Sequence, residues 1–283
     1  MLIAYRDYVK DATATEATWN SVAGAPLTNV QDRRLAVKAI NDLEAGNFII
    51  FFDEPVTIQF VAILAHNLTQ TGWFQVSLRD AFSSPLYDDI FQGDPGTMQP
   101  FEPLWIPPVD SQFPRNSYVI FPVPVSGVRQ IFFHISTGQV GESGMPPVEI
   151  GRVWAGPAWQ PEGGTARRNF RPKTCDDSVL HKSIGQQAYA DVKPRYRQLT
   201  CSIPDLSEAE AIGTEDGDTQ NLQDIGFEVG RAGEVIVIPA QHSNQAIHKL
   251  GLFGHFLEAP YPELIEEASG HHYSATFDVV EDL

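Results

Sequence analysis

The residue types best suited to chemistry are spread through this chain in spacings that do not assemble a reaction centre. Its eight histidines are the natural candidates for metal ligation. His271 and His272 are adjacent, so on a strand they face opposite ways and cannot chelate one ion together. His242 and His248 stand six apart in a stretch read as loop, and His255 sits in an expected strand, so no ligand spacing emerges. His66 closes an apolar run and is expected to fix a turn by hydrogen-bonding a backbone carbonyl. Glu215-Asp216-Gly217-Asp218 has the acidic head of a calcium loop. Counted from Asp216, however, Asn221 and Phe227 occupy the sixth and twelfth positions, where an EF-hand needs Gly and Glu. A calcium site assembled in three dimensions stays open. No G-x-S-x-G turn offers a nucleophilic serine, since Ser126-Gly127 lies in a hairpin-like turn without a local partner. No glycine-rich phosphate loop precedes a helix. Asp and Glu total 36, too many for a catalytic pair to be picked out. The expectation is a protein without catalytic residues, cofactor or bound metal.

Aromatic side chains are the more promising group, because exposed rings stack on sugars or anchor protein interfaces. Trp73 opens a strand on the same parity as Gln75 and Ser77, and Trp105 lies in a long insertion. These two are the candidate glycan contacts. Trp154 and Trp159 flank the fixed corner Gly156-Pro157; they are expected to be wedges packing the jelly roll against the arm rather than ligand platforms, and are candidates for a subunit interface. The cluster Arg167, Arg168, Phe170 and Arg171, locally basic in an acidic protein, completes that candidate interface. It reads either as a solvated linker or as an arm lying on an acidic neighbour.

The elements that must position these residues are short and mostly β. With 21 Pro and 22 Gly punctuating runs of Val, Ile, Phe and Thr, the 283 residues have the rhythm of a strand-rich protein. A first strand is expected near Leu2–Tyr8, a short one at Leu35–Ile40, and one buried on both faces at Asn47–Phe52. The Val56–Arg79 hairpin follows, with Phe74, Val76 and Leu78 on one face. Residues 80–118 form an insertion without evident period. Tyr118–Val125, Val128–Ser136 and Val148–Trp154 complete a jelly-roll β-sandwich over 1–160. An extended connector or arm spans 161–194. A smaller β-rich domain fills 195–283, with strands at Arg195–Ile203, Glu234–Ile238, Lys249–Glu258 and His271–Val280. Within it Ser207-Glu208-Ala209-Glu210 is a capping box opening a short helix, and Gly217–Gly230 is ambiguous.

Composition narrows the function classes. Hydrophobic residues make up 42% and aromatics 11%, enough for folded cores. A net charge of −17 excludes wrapping of nucleic acid, which needs clustered cations. No apolar run reaches the roughly 20 residues of a membrane-spanning helix. The first residues lack the pattern of a secretion signal, and two cysteines are no disulfide framework, so folding in the producing cell's cytoplasm is expected.

Several stretches resemble one family. The hairpin ending in Ala65-His66-Asn67-Leu68 and the segment Ile150-Gly151-Arg152-Val153-Trp154-Ala155-Gly156-Pro157-Ala158-Trp159-Gln160-Pro161 are similar to the galactose-binding-like (discoidin-like) jelly rolls of tailed-bacteriophage tail and baseplate proteins. In the second module Lys193-Pro194-Arg195-Tyr196-Arg197, Leu206-Ser207-Glu208-Ala209-Glu210 and Leu252-Phe253-Gly254-His255-Phe256 resemble the same proteins. The resemblance touches about a third of the chain. It implies a non-enzymatic virion component of the tail tip or baseplate, related to distal tail proteins. Such a component is made in the bacterial host and forms a ring with identical subunits and other tail proteins. The 80–118 insertion and the Gly217–Gly230 stretch depart from the family's pattern. The alternative from another class is a carbohydrate-binding module serving host-surface attachment.

Overall fold

A computed structural model describes the chain apart from residues 69–71, 93–103, 107–115, 139–145, 162–168, 183–187, 215–219, 241–243, 268–269 and 283. Two compact units result. One comprises Ala4–Ala158 with His242–Lys249; the other comprises Met1–Ile3, Trp159–Gln241 and Leu250–Leu283.

The chain opens with β1 (Leu2–Ala4), which joins the second unit's sheet. The strands of the first unit are β2 (Thr13–Glu16), β3 (Ala39–Ile40), β4 (Ala45–Leu64), β5 (Trp73–Arg79), β6 (Pro85–Gln92), β7 (Leu104–Ile106), β8 (Ser117–Ser136), β9 (Glu149–Ile150) and β10 (Arg152–Gly156). The long antiparallel pair β4 and β8 organises this unit. Their ladder is regular from Ala45 to Phe51, shifts register between Phe51 and Phe60, and is regular again to Ile63. At the shift Asp53, Glu54 and Pro55 on one strand and Pro122, Val123 and Pro124 on the other are exposed. Proline cannot donate to a ladder, so these are the positions where pairing lapses. On one side of the lapse the order is β2-β4-β8-β5-β6; on the other, β10 flanks β4 and β7 flanks β8.

Side-chain alternation shows that these are the two walls of a sandwich. Phe48, Ile50, Phe74, Val76, Leu78, Ile131, Phe133 and Ile135 from the first wall share one buried cluster with Val61, Ile63, Val119, Phe121, Val153 and Ala155 from the second. Phe48 stacks on Phe133 at 4.9 Å, and Trp19 meets Phe48 edge-on at 5.4 Å. Each such side chain contributes about 1.5–3 kcal/mol by leaving water. The jelly-roll class expected from the strand pattern is the architecture found.

Several elements differ from expectation. Asn47–Phe52 is not buried on both faces: Phe48, Ile50 and Phe52 are buried while Asn47, Ile49 and Phe51 are half-buried. It is also continuous with the Val56 run, not a separate strand. The 80–118 insertion holds two strands, β6 and β7. Among the described residues β6 pairs only with β5, and it is exposed from Pro85 to Leu86, so edge polarity at Asp88 and Asp89 conceals its period. Of Leu35–Ile40 only β3 is strand.

The second unit holds β11 (Ala158–Trp159), β12 (Asn169–Cys175), β13 (Val179–Lys182), β14 (Ala188–Asp191), β15 (Tyr196–Leu206), β16 (Glu234–Ile238), β17 (Leu252–Phe256), β18 (Pro262–Glu267) and β19 (Gly270–Glu281). Its sheet runs β11-β1-β16-β17-β19-β15-β12, with β18 added on β19. Leu199, Cys201 and Ile203 of β15 and Ala275, Phe277 and Val279 of β19 are buried, and Phe256 meets Phe277 edge-on at 5.5 Å. The capping box stands at the head of α1 (Glu208–Ala211): the Glu210 amide donates to Ser207 Oγ at 3.3 Å and the Ser207 amide to Glu210 Oε2 at 2.8 Å. The ambiguous stretch contains α2 (Leu222–Val229), capped by Asn221, whose Oδ1 accepts from the Asp224 amide at 2.9 Å. A short α3 (Asn244–Leu250) precedes β17 and takes in His248, which the sequence placed in a loop.

Candidate interaction surfaces

Residues 161–194 were expected to be an extended connector or arm. Within them β12 lies on the edge of the sheet against β15, and the chain then leaves the sheet as the β13–β14 hairpin, a separate two-stranded ladder. Its base is tied. The Ser178 amide donates to Asp176 Oδ1 and the Lys193 amide to Ser178 Oγ, both at 2.9 Å, while Arg195 Nε donates to Asp176 Oδ2 at 2.9 Å. The Ser178 hydroxyl and amide, with the Arg195 guanidinium, hold the Asp176 carboxyl down to about 2. Beyond that base the described side chains of β13 and β14 are exposed. Leu180 is 77% and Val192 78% accessible, and Tyr189, stacked on His181 at 5.2 Å, is exposed as well. A lone two-stranded hairpin is marginal in water, and one that shows its apolar side chains has the character of a contact element.

Charge distinguishes the arm further. Residues 167–197 hold 8 of the 19 Lys and Arg but only 3 of the 36 Asp and Glu, leaving 11 against 33 for the rest. The segment that carries the arm is thus basic within an acidic protein, the excess lying before and after the hairpin, which itself holds Lys182 and Asp191. The outer edge of β12 is closed to strand pairing by Pro172, which has no amide hydrogen, between the exposed cations Arg171 and Lys173.

Among the described residues of the sandwich unit the most exposed aromatic is Phe82, 89% accessible at the turn between β5 and β6. Asp80 Oδ1 accepts from both the Phe82 and Ser84 amides at 2.8 Å, and Ser83 takes a positive φ of 61°. The turn is therefore fixed by a side-chain cap. Sequence reasoning passed over Phe82; Asp80 followed by small residues and a proline was the available signal.

The expected site residues fare unevenly. Arg167 and Arg168 lie outside the described residues. Phe170 is half-buried and Arg171 exposed, opposite Cys201 and Thr200 on β15. Trp154 and Trp159 are 1% and 3% accessible, which corrects their assignment to a subunit contact: a side chain enclosed within its own chain has no surface for a neighbour. Trp73 is half-buried, its ring edge-on to His134 at 4.4 Å and its indole nitrogen enclosed, so it is a poor sugar platform. Burial pushes the His134 imidazole below its ordinary range. Trp105 lies on β7 opposite Val119, with its side chain outside the described set. His66 fixes its turn as expected but through other partners. Its Nδ1 accepts from the Leu68 amide at 3.2 Å, and Nε2 lies 2.9 Å from Ser117 Oγ.

Trp154 belongs to a buried polar cluster. The Arg152 guanidinium lies 5.4 Å from its ring centre and 2.8 Å from Asp7 Oδ2. Asp7 Oδ1 also accepts from the Val9 amide at 2.9 Å. Burial pushes the Asp7 carboxyl up to about 6 in spite of the adjacent cation. The cluster is structural: it ties the N-terminal segment to β10. A shallow pocket of about 370 Å³ is lined by Arg231, Ala232, His255, Phe256 and Leu257, with His255 Nδ1 2.8 Å from Asp282 Oδ1. Among the described residues no three His, Cys, Asp or Glu side chains converge as metal ligands.

No family model matches the sequence, and the comparison with curated proteins gave no match. Solved structures overlap about half of the chain. The CpGH89CBM32-4 module of Clostridium perfringens is 15% identical over 54% of this chain and 100% of its own, with a TM-score of 0.35. The lectin binding domain of lectinolysin, solved with Lewis b, is 10% identical over 54% and 96%, at 0.38. A Streptococcus pneumoniae fucose binding module is 7% identical over 53% and 96%, at 0.36. Overlaps at these scores say nothing about what this chain binds.

Proposed function

We propose that this chain is a non-catalytic structural subunit that joins its neighbours through the β13–β14 arm. The observation that supports the reading most strongly is a two-stranded hairpin, held at its base, that presents Leu180, Tyr189 and Val192 to solvent from a basic segment of an acidic protein. The resemblance to tail-tip and baseplate proteins suggests the setting: a bacteriophage virion, with identical copies arranged in a ring beside other tail proteins. A head-to-tail contact whose rotation closes gives such a finite ring. Each stable contact needs about 1,000 Å² or more of buried surface. The test is sedimentation and negative-stain imaging of the intact chain beside a Leu180→Asp/Val192→Asp variant. Oligomers lost in the variant, with its melting temperature unchanged, are expected. A chain that stays monomeric at high concentration, or a variant that assembles as well as the parent, overturns the proposal.

A second reading gives the sandwich a part in sugar binding at a host surface. Its observation is the capped turn that holds Phe82 outward, a ring geometry suited to stacking on a pyranose. The carbohydrate-binding modules among the solved structures have names in keeping with it, but their overlap is too slight to carry it. Glycan-array binding by the intact protein that disappears in Phe82→Ala would establish it; an array without specific signal would dismiss it.

A further inference from the structure

The assembly reading leaves open what the arm docks on, and the inference drawn here rests on that reading. We infer that the arm's acceptor is the open edge of β18 in a second copy of this chain. β18 pairs with β19 alone, from Pro262 opposite Ala275 to Glu267 opposite Gly270, and among the described residues no strand pairs with its other edge. Edges left open in this way are templates for another chain's strand. The sheet's edge at β12 is closed by Pro172 and its flanking cations, so β18 is the better acceptor.

Chemistry matches the two surfaces. Tyr261, Leu264 and Ile265 are exposed on or beside β18, Leu264 on one face and Ile265 on the other, as Leu180 and Tyr189 divide between the two faces of the arm. Glu258 and Glu263 are exposed around it. From Glu258 to Leu283 the chain has seven Asp and Glu and no Lys or Arg. The arm brings exposed Lys182 and Lys193 to the same contact, with exposed Asp191 beside them. Strand lengths agree too: four residues in each arm strand against six in β18. Donor and acceptor are different surfaces, so each copy gives one arm and receives another. The contact is directional and extends from copy to copy.

Two variants test it, each checked for unchanged circular dichroism and melting. The arm variant is Leu180→Asp/Val192→Asp. The edge variant is Leu264→Lys/Ile265→Lys, which removes apolar contact and sets cations against the arm's lysines. Each alone should self-associate at least about tenfold more weakly than the parent. Mixed, they should give a one-to-one heterodimer by sedimentation, because one retains a sound arm and the other a sound edge. An edge variant that assembles like the parent, or a mixture that stays monomeric, overturns the β18 assignment while leaving arm-mediated assembly standing. An arm variant that assembles like the parent sinks the assembly reading itself.

Discussion

Asp7 and Arg152 show how much a single buried pair can govern. The carboxyl's value rises from 3.8 to about 6 because burial outweighs the attraction of the guanidinium 2.8 Å away. An acid with a folded value above its unfolded one holds its proton more tightly in the folded state. Its contribution to stability is therefore largest at low pH and is lost as pH rises from about 4 to about 6. Removing the cation sharpens this. Arg152→Met should destabilise the chain by about 3–5 kcal/mol at pH 8, where Asp7 is left as a buried anion. At pH 5 the loss should be smaller, since protonation neutralises the group. Urea unfolding at both pH values measures the difference, and equal losses would contradict the account. None of this was legible in the sequence, because the partners stand 145 residues apart and neither has a local signature. His66 was legible as a turn residue, whereas its partners were not: Ser117 arrives from β8.

Elements were read best where a local rule fixes them. The Ser207 capping box needs only four consecutive residues, and the alternation of Phe74, Val76 and Leu78 needs only five. Ser207→Ala should cost about 0.5–2 kcal/mol, read as a lowered melting temperature of the intact chain. β6 went unseen because the polar pair Asp88-Asp89 breaks its period, and β7 because its three residues, Leu104–Ile106, are too few to show one. The β4–β8 pair was seen in pieces, since Pro55, Pro122 and Pro124 resemble strand ends where they mark only a lapse in pairing. Gly156 adds a constraint that sequence cannot show. A Cβ there would stand 2.0 Å from the Arg6 carbonyl oxygen, so the N-terminal segment crosses β10 at backbone distance. Gly156→Ala should push that crossing apart and lower stability by about 1–3 kcal/mol, measurable by thermal unfolding.

At the scale of the molecule, the division between acidic body and basic arm was visible as composition, but the hairpin that gives the arm its form was not. Assembly through such an arm should respond to ionic strength. The association constant is expected to fall as salt rises from about 0.05 M to about 0.5 M, over which range the screening length shortens severalfold. A light-scattering titration indifferent to salt would leave the apolar residues as the whole of the contact. The strand-rich, long-range topology was legible from turn spacing. Which strands share a sheet was not, as the placement of β1 beside β16 shows.

The lapse in the β4–β8 ladder has a consequence for how the sandwich can vary. Both walls are threaded by the same two strands, so neither wall can be exchanged as a cassette without cutting the other's backbone. The exposed points at Asp53–Pro55 and Pro122–Pro124 are where extra residues can be spliced in without flipping the inward side chains of either wall. Growth of this body in related chains is therefore channelled to that seam, and relatives that differ in size should differ there first.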